Sequence, residues 1–260
     1  MRRTTLSTFA AISVSTVAAS ADANFWRYSL TSTNPWTTSL TAEFDPVSHR
    51  FRWEFTATNN TNGYWLCVSP GQNPQGNPGE FAAIYFDASN LGEDMTVTPK
   101  VTVYGYSAVG LNSWNDGSNA AGIQTPDRIF SSLDPASASA ITALSATDSG
   151  STRTFVLEMD ASVIQEHTPL YPAANGDPWT GVGFGSLIGH WFHPVTGFNG
   201  TYGTDPTAAN YNYLTSWSYT QWGFGDLANR PTQWVIPAPG ALALLGVAGL
   251  VGARRRRRVG

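Results

Sequence analysis

The chain has 260 residues, of which 42% are hydrophobic and only 12% are charged, with a formal net charge of −4. Seven of the 14 basic residues but only one of the 18 acidic residues lie in residues 1–23 and 236–260, which leaves a net charge of −10 in between. This acidic balance argues against nucleic acid or an anionic membrane surface as a partner of residues 24–235. Because Cys67 is the only cysteine, an intramolecular disulfide is excluded.

The first 23 residues have the three parts of a secretory signal peptide. Arg2 and Arg3 form a basic start, residues 6–19 are small and apolar, and Ala21 and Ala23 provide a small-x-small cleavage site. We therefore expect export, with cleavage after Ala23, or alternatively after Ala21.

Residues 24–235 have the length of one domain and a pattern that is typical of β-structure. Period-2 alternation or short apolar runs predict strands at residues 51–56, 64–68, 81–86, 101–106, 153–159 and 211–222. Turn-forming residues predict loops at residues 59–63, 70–79, 114–122 and 199–205. One short helix is predicted at residues 161–167, with Asp160 as its N-cap. Together these elements predict an all-β fold, an antiparallel β-sandwich with a jelly-roll topology.

The single cysteine lies within one of these apolar strands, at residues 64–68. We therefore expect Cys67 to be a buried structural thiol rather than a nucleophile.

Aromatic residues are numerous, with ten Trp, ten Tyr and 13 Phe. The tryptophans in or beside predicted loops are Trp36, Trp114, Trp179, Trp191, Trp222 and Trp234. Exposed rings stack on the apolar faces of sugars, whereas a two-layer sandwich also needs large side chains in its core. The platform hypothesis rests mainly on Trp114, which lies among Asn and Asp residues, and on Trp179, which follows Asp177 and Pro178.

The sequence offers candidates for two kinds of metal site and does not identify the metal. His190 and His193 would point to opposite faces of an extended strand, so they would share one ion only across a bend. Calcium is favoured over a transition metal, because residues 87–94 and 112–119 each place several oxygen donors in a loop. Neither segment has the spacing of a known calcium loop, so the sequence predicts no cofactor, and calcium is the alternative by composition alone.

Signs of enzymatic chemistry are weak. The sequence has no nucleophile elbow, no phosphate-binding glycine loop and no His-Glu-x-x-His motif. A retaining glycosidase needs two carboxyl groups about 5 Å apart. Of the candidates, Glu158 and Asp160 would share a strand face, although we expect them to mark the polar edge before the short helix. The sequence predicts no catalytic residue.

The last 25 residues form a distinct unit. Pro237, Ala238 and Pro239 precede an uncharged apolar helix predicted at residues 241–253, and five arginines follow at residues 254–258. Such a helix would be about 20 Å long, and counting back to residue 236 brings it closer to the roughly 30 Å hydrocarbon core of a bilayer. Cationic flanks stay cytoplasmic, so residues 24–235 would lie outside.

This unit resembles a PEP-CTERM sorting domain in its Pro-x-Pro start, its Leu/Ala/Gly-rich helix and its arginine cluster, Arg254, Arg255, Arg256, Arg257 and Arg258. The resemblance implies recognition by an exosortase, a membrane-embedded transpeptidase that processes such proteins on their way to the cell surface or extracellular matrix. Ala238 stands where that family has Glu, which implies an exosortase-type enzyme that reads Pro-Ala-Pro.

We therefore expect an exported, tail-anchored protein of the cell surface or extracellular matrix, a non-enzymatic structural or adhesive component that associates with exopolysaccharide. The alternatives are a secreted glycan-active enzyme on a jelly-roll fold and a protein–protein scaffold of the cell surface.

Overall fold

The computed structural model describes residues 26–31, 37–69, 81–89, 96–106, 126–169, 179–182, 187–222 and 232–235. Both ends of the chain lie outside these residues, so the predictions of a signal peptide (residues 1–23) and of a sorting and anchoring tail (residues 236–260) remain predictions. Within the described ranges, no helix is long and apolar enough to cross a membrane.

The described residues form many short strands and almost no helix. The strands are, in chain order, β1 (Trp26–Thr31), β2 (Thr37–Phe44), β3 (Arg50–Thr58), β4 (Thr61–Ser69), β5 (Phe81–Asp87), β6 (Thr96–Val97), β7 (Lys100–Tyr106), β8 (Asp127–Ser131), β9 (Ile141–Ser149), β10 (Thr152–Asp160), β11 (Leu187–Thr196), β12 (Asn199–Tyr202), β13 (Leu214–Ser218), β14 (Gln221–Trp222) and β15 (Thr232–Val235). This composition confirms the prediction of an all-β fold with antiparallel sheets.

Two sheets make up the body of the fold. The first sheet has the order β1-β2-β3-β10-β9-β6, and the second has the order β14-β11-β4-β5-β7-β8, with β15 also paired to β11. The two-residue turn between β3 and β4 carries the chain from the first sheet to the second. Strands β12 and β13 form a separate two-stranded sheet.

The inner faces of the two large sheets meet in an aromatic core. Phe55 and Phe155 of the first sheet stack with their ring centroids 4.4 Å apart. Phe55 also meets Tyr64 and Phe192 of the second sheet edge-on, at 4.9 and 4.6 Å. These offset and edge-to-face arrangements are the favoured geometries of aromatic pairs. The core explains the period-2 pattern of β3, in which alternate residues are buried.

Strand β5 is buried along its whole length, as the continuous apolar run predicts for a central strand. Its two neighbours are β4 and β7, and both of its faces are covered. The thiol of Cys67 on β4 is likewise buried, and burial raises its pKa, so the prediction of a structural thiol is confirmed.

The outer face of the second sheet carries a second apolar cluster, which the β12–β13 hairpin covers. Trp217 of β13 lies 4.7 Å from Trp65 and 5.7 Å from Phe198, measured between ring centroids. The Tyr104 hydroxyl donates a hydrogen bond of 2.6 Å to the Leu214 carbonyl. These contacts fix the hairpin on the sheet, and with it the loop that joins β12 to β13.

Three predicted elements differ from the structure. The helix is α1 (Ser162–Gln165), a single turn, and the Asp160 carboxylate accepts a 2.9 Å hydrogen bond from the Ser162 N–H. Residues 199–202, predicted as part of a turn, pair with β13 as β12. The strand predicted at residues 211–222 is divided into β13 and β14, and residues 211–213 precede it in a loop.

Candidate functional site

A surface cleft of about 360 Å³ lies where the β12–β13 loop meets the turn after β8. The loop comprises residues 203–213, and the turn comprises residues 132–137. The residues that line the cleft are Arg128, Asp134, Pro206, Ala208, Ala209, Tyr211 and Tyr213.

Hydrogen bonds within the loop fix its shape. The Gly203 N–H donates to the Tyr213 carbonyl and the Asn212 N–H donates to the Gly203 carbonyl, both at 2.9 Å. Asp205 accepts hydrogen bonds from the backbone N–H and the hydroxyl of Thr207, both at 2.8 Å, and these bonds lower the pKa of Asp205. A Cβ at Gly203 would overlap the Asn210 carbonyl, so this close turn requires glycine.

Asn212 ties the loop to the turn after β8. Its backbone lies in the left-handed region, with φ of 65°, a conformation that asparagine tolerates better than most residues. The Ser131 hydroxyl donates to the Asn212 carbonyl at 2.6 Å, and the Asn212 amide donates to the Leu133 carbonyl at 2.9 Å. Both walls of the cleft are therefore held by hydrogen bonds, which makes the cleft a preformed site.

Two tyrosines supply the aromatic surface of the cleft. Tyr211 is 41% exposed, and Val47 is the one other large apolar side chain that is classed as exposed in the described part of the chain. Tyr213 is mostly buried, and its burial raises the pKa of its hydroxyl. The Arg128 guanidinium lies over the Tyr213 ring, 5.9 Å from the centroid. Such a cation–π contact holds the guanidinium in place beside the cleft.

Asp134 is the one carboxylate among the described lining residues. Its Oδ1 accepts a 3.0 Å hydrogen bond from the Ala136 N–H, and its Oδ2 accepts a 3.2 Å hydrogen bond from the Ser137 hydroxyl. An ionised carboxylate has about four lone-pair sites, so each oxygen keeps capacity for a ligand hydroxyl. Tyr211, Arg128 and Asp134 together offer a ring face, a charged donor and an acceptor, which suits noncovalent recognition of a saccharide.

Trp179, predicted as a glycan platform, is wholly buried, and that prediction is wrong. Its ring lies in the inner core against Gly105 of β7, where the missing side chain leaves room for the indole. The backbone N–H of Trp179 donates to the buried Asp127 carboxylate at 3.3 Å. A ring with no exposed face cannot stack on a sugar ring.

The other loop tryptophans give no platform within the described residues. Trp191 lies on β11 and is only 9% exposed. Trp114, the second predicted platform, lies outside the described residues, as does Trp36. Trp222 and Trp234 belong to β14 and β15, and their side chains also lie outside the described part.

The histidines of β11 lie on opposite faces of the strand, as their spacing predicts. The His190 ring packs edge-on against Trp53 of the inner core at 5.2 Å, whereas the His193 ring stacks on Trp65 of the outer cluster at 4.5 Å. Burial lowers the pKa of both imidazoles to about 3. The two rings are therefore not arranged to share one ion, and the described residues contain no group of three or more His, Cys, Asp or Glu suited to a metal.

Of the first candidate calcium loop, residues 87–94, the structure describes only residues 87–89. The Asp87 carboxylate accepts hydrogen bonds from the Ser89 N–H and the Tyr202 hydroxyl, both at 2.9 Å. The Lys100 ammonium lies over the Tyr202 ring, 4.8 Å from its centroid. Asp87 thus already belongs to a protein hydrogen-bond network. Residues 90–95 and 112–119 lie outside the described residues, so calcium binding stays a prediction.

Glu158 and Asp160 are engaged separately. Glu158 lies 3.4 Å from Arg50 and 3.5 Å from Arg52, and it accepts a hydrogen bond from the Thr142 hydroxyl at 3.0 Å. Asp160 caps α1. The two carboxylates thus belong to the polar edge of β10.

The alternating aromatic pattern predicts a strand at Tyr211 and Tyr213, and for that reason the sequence alone did not indicate the cleft. The turn-forming Asp205, Pro206 and Asn210 just before them are the signal that indicates a longer loop.

No family model matches the chain, and neither the curated proteins nor the solved structures give a significant match. Its function is therefore inferred from the fold, the cleft and the two ends of the sequence.

Proposed function

We propose that this protein is an exported, tail-anchored component of the cell surface or extracellular matrix that binds polysaccharide without cleaving it. The observation that carries the binding part is the rigid cleft in which the exposed ring of Tyr211 lies beside Arg128 and Asp134. Aromatic rings stack on sugar rings while charged and polar groups fix the orientation, which is the usual division of labour in a ligand site.

The location rests on the two ends of the sequence. A signal peptide with its cleavage site at Ala21 or Ala23 would direct export, and the apolar segment followed by five arginines would anchor the chain with residues 24–235 outside. The PEP-CTERM resemblance adds an exosortase-type enzyme as a processing partner, which would act near Pro239. Processing would release the protein to the cell surface or matrix.

The fold suits this role as a β-sandwich of the jelly-roll kind. Several neighbouring strands in its sheets are far apart in the sequence, such as β3 with β10 and β4 with β11. Such pairs resemble the Greek-key connections of jelly rolls, a fold that many lectin domains share.

Binding is favoured over catalysis by the chemistry of the cleft. A glycosidase of the common type needs two carboxyl groups across the scissile bond, and Asp134 is the one described carboxylate in the cleft. Arg128 and Tyr211 contribute charge and aromatic surface, and neither supplies the second carboxyl group.

Affinity electrophoresis of the intact protein through gels that contain polysaccharide tests the proposal. We expect at least one polysaccharide to retard the protein, with no release of reducing ends. Tyr211→Ala should lose the retardation, since it removes the stacking surface. Val47→Ala is the matched control because Val47 is also an exposed large side chain, 67% exposed on the turn between β2 and β3.

Release of reducing ends from the retarding polysaccharide would favour the glycan-active enzyme instead. Self-association without retardation by any polysaccharide would favour the protein scaffold.

A further inference from the structure

Arg128 differs from the other described arginine side chains in its ionic partners. Arg50, Arg52 and Arg153 each lie within ion-pair distance of a carboxylate. Among the residues that the structure describes, no carboxylate lies that close to the Arg128 guanidinium, which instead covers the Tyr213 ring. Acidic residues outnumber basic ones by ten in residues 24–235, and within the described part of the chain the Arg128 guanidinium is available to an outside anion.

The geometry of the cleft limits where that anion sits. The Tyr213 ring holds the guanidinium from one side, and the cleft that Arg128 lines is open to solvent. Asp134 lines the same cleft and repels negative charge, so a ligand anion would bind on the Arg128 side. The fixed Asp134 oxygens would accept hydrogen bonds from uncharged hydroxyls of the same ligand.

From this arrangement we infer that the ligand is an acidic polysaccharide whose sugar units carry a carboxylate, that is, a polyuronate. This inference rests on the proposed polysaccharide binding and specifies its ligand class. The uronate carboxylate pairs with the Arg128 guanidinium, a ring hydroxyl donates to Asp134, and the apolar face of the sugar ring stacks on Tyr211. Arginine forms two parallel hydrogen bonds to a carboxylate, a geometry that a sugar hydroxyl does not reproduce.

The same arrangement disfavours sugars with several anionic groups. A ligand that places a second negative charge near Asp134 meets repulsion in a partly enclosed cleft. Arg128 is thus a specificity-determining residue, whereas Tyr211 provides affinity for acidic and neutral sugars alike.

The test compares each acidic polysaccharide with its own neutral form. Polygalacturonate and alginate are used beside the same polymers after chemical reduction of their carboxylates to alcohols. The dissociation constants of the full-length protein are measured by affinity electrophoresis at an ionic strength of about 0.15 M, where long-range repulsion is screened beyond about 8 Å. We expect at least one acidic polymer to bind about tenfold or more tightly than its reduced form, since hydrogen bonds to charged groups contribute about 1.5–3 kcal/mol.

Two variants test whether Arg128 causes the preference for the acidic polymer over its reduced form. Arg128→Gln should bring the acidic and reduced polymers to equal affinity, while Arg128→Lys, which keeps a point charge, should retain part of the preference. Thermal melts of both variants establish that they fold.

The outcomes separate the inference from the proposed function. Equal binding of acidic and reduced forms, lost in Tyr211→Ala, would overturn the polyuronate inference and leave polysaccharide binding intact. A preference that persists in a folded Arg128→Gln variant would also overturn it. If none of these polymers binds while other polysaccharides retard the protein, the inference alone fails, and if no polysaccharide binds at all, both fail.

Discussion

The absence of a side chain at Gly105 leaves the space in the core that the Trp179 indole ring occupies. Gly105 lies on β7, and a Cβ built there would overlap the indole ring of Trp179. The glycine is therefore required by packing. Its lack of a side chain is what brings a residue from a distant segment into the inner core.

Gly105→Ala should destabilise the fold by about 1–3 kcal/mol, the usual cost of adding a methyl group to a filled core. The measurement is the free energy of unfolding in urea. Combining it with Trp179→Leu, which makes room for the methyl group, should cost less than the two single changes added together. Strict additivity would contradict the contact.

Trp179 and Tyr211 show why the residues of a site are hard to predict from sequence. Trp179 follows Asp177 and Pro178, a context that suggests an exposed loop. Its ring is nevertheless buried, because it packs against Gly105. Tyr211 continues an alternating aromatic pattern, yet Asn212, with its positive φ, turns the chain there and leaves the ring exposed. A distant contact decides the burial of Trp179 and a local turn decides the exposure of Tyr211, and the alternation of apolar and polar residues reveals neither.

At the scale of elements, β11 carries a histidine on each of its faces. His190 packs on the inner core and His193 on the outer cluster, and burial lowers the pKa of each to about 3. In the unfolded chain both imidazoles would titrate near 6.5. The unfolded state therefore binds more protons than the folded state between pH 6.5 and pH 3, and stability must fall as the pH falls through this window.

We expect the unfolding free energy to drop by about 2 kcal/mol per histidine between pH 7 and pH 5, where most carboxylates stay ionised. Urea unfolding at pH 7, 6 and 5 measures the drop. His190→Asn should remove one histidine's share of the pH dependence, whatever it does to stability at pH 7. Phe192→Leu, on the same strand, is the control, since it should lower stability equally at each pH. An unchanged slope in His190→Asn would contradict the burial of a neutral imidazole.

Strands were the most predictable elements, because a strand buried on one face has an alternating apolar pattern and a strand buried on both faces has a continuous apolar run. Alternation in β3 and β10 and the continuous apolar run of β5 match their observed burial. Residues 199–202 were less predictable. Their Asn, Gly and Thr are typical of turns, but pairing with β13 makes them a strand, and pairing partners are not visible in local composition.

At the scale of the whole molecule, the aromatic sandwich lies between a predicted signal peptide and a predicted sorting tail. A simple membrane anchor would leave residues 254–258 on the mature protein, whereas processing by an exosortase-type enzyme would remove them. We expect mass spectrometry of the protein from fractionated cells to find a mature C-terminus near Pro239. An intact arginine cluster in the membrane fraction would contradict processing and leave the anchor.

Protein recovered from the cytoplasm with residues 1–23 intact would contradict export.

Radical footprinting of the intact protein with a bound polysaccharide tests whether the cleft is the polysaccharide-binding site. Oxidation of Tyr211 and of Val47 is quantified by mass spectrometry with and without a polymer that retards the protein. Both side chains are exposed in the free protein, so both should be oxidised. We expect the polymer to protect Tyr211 from oxidation and to leave the oxidation of Val47 unchanged. A bound polymer that leaves Tyr211 as reactive as in the free protein would contradict this expectation.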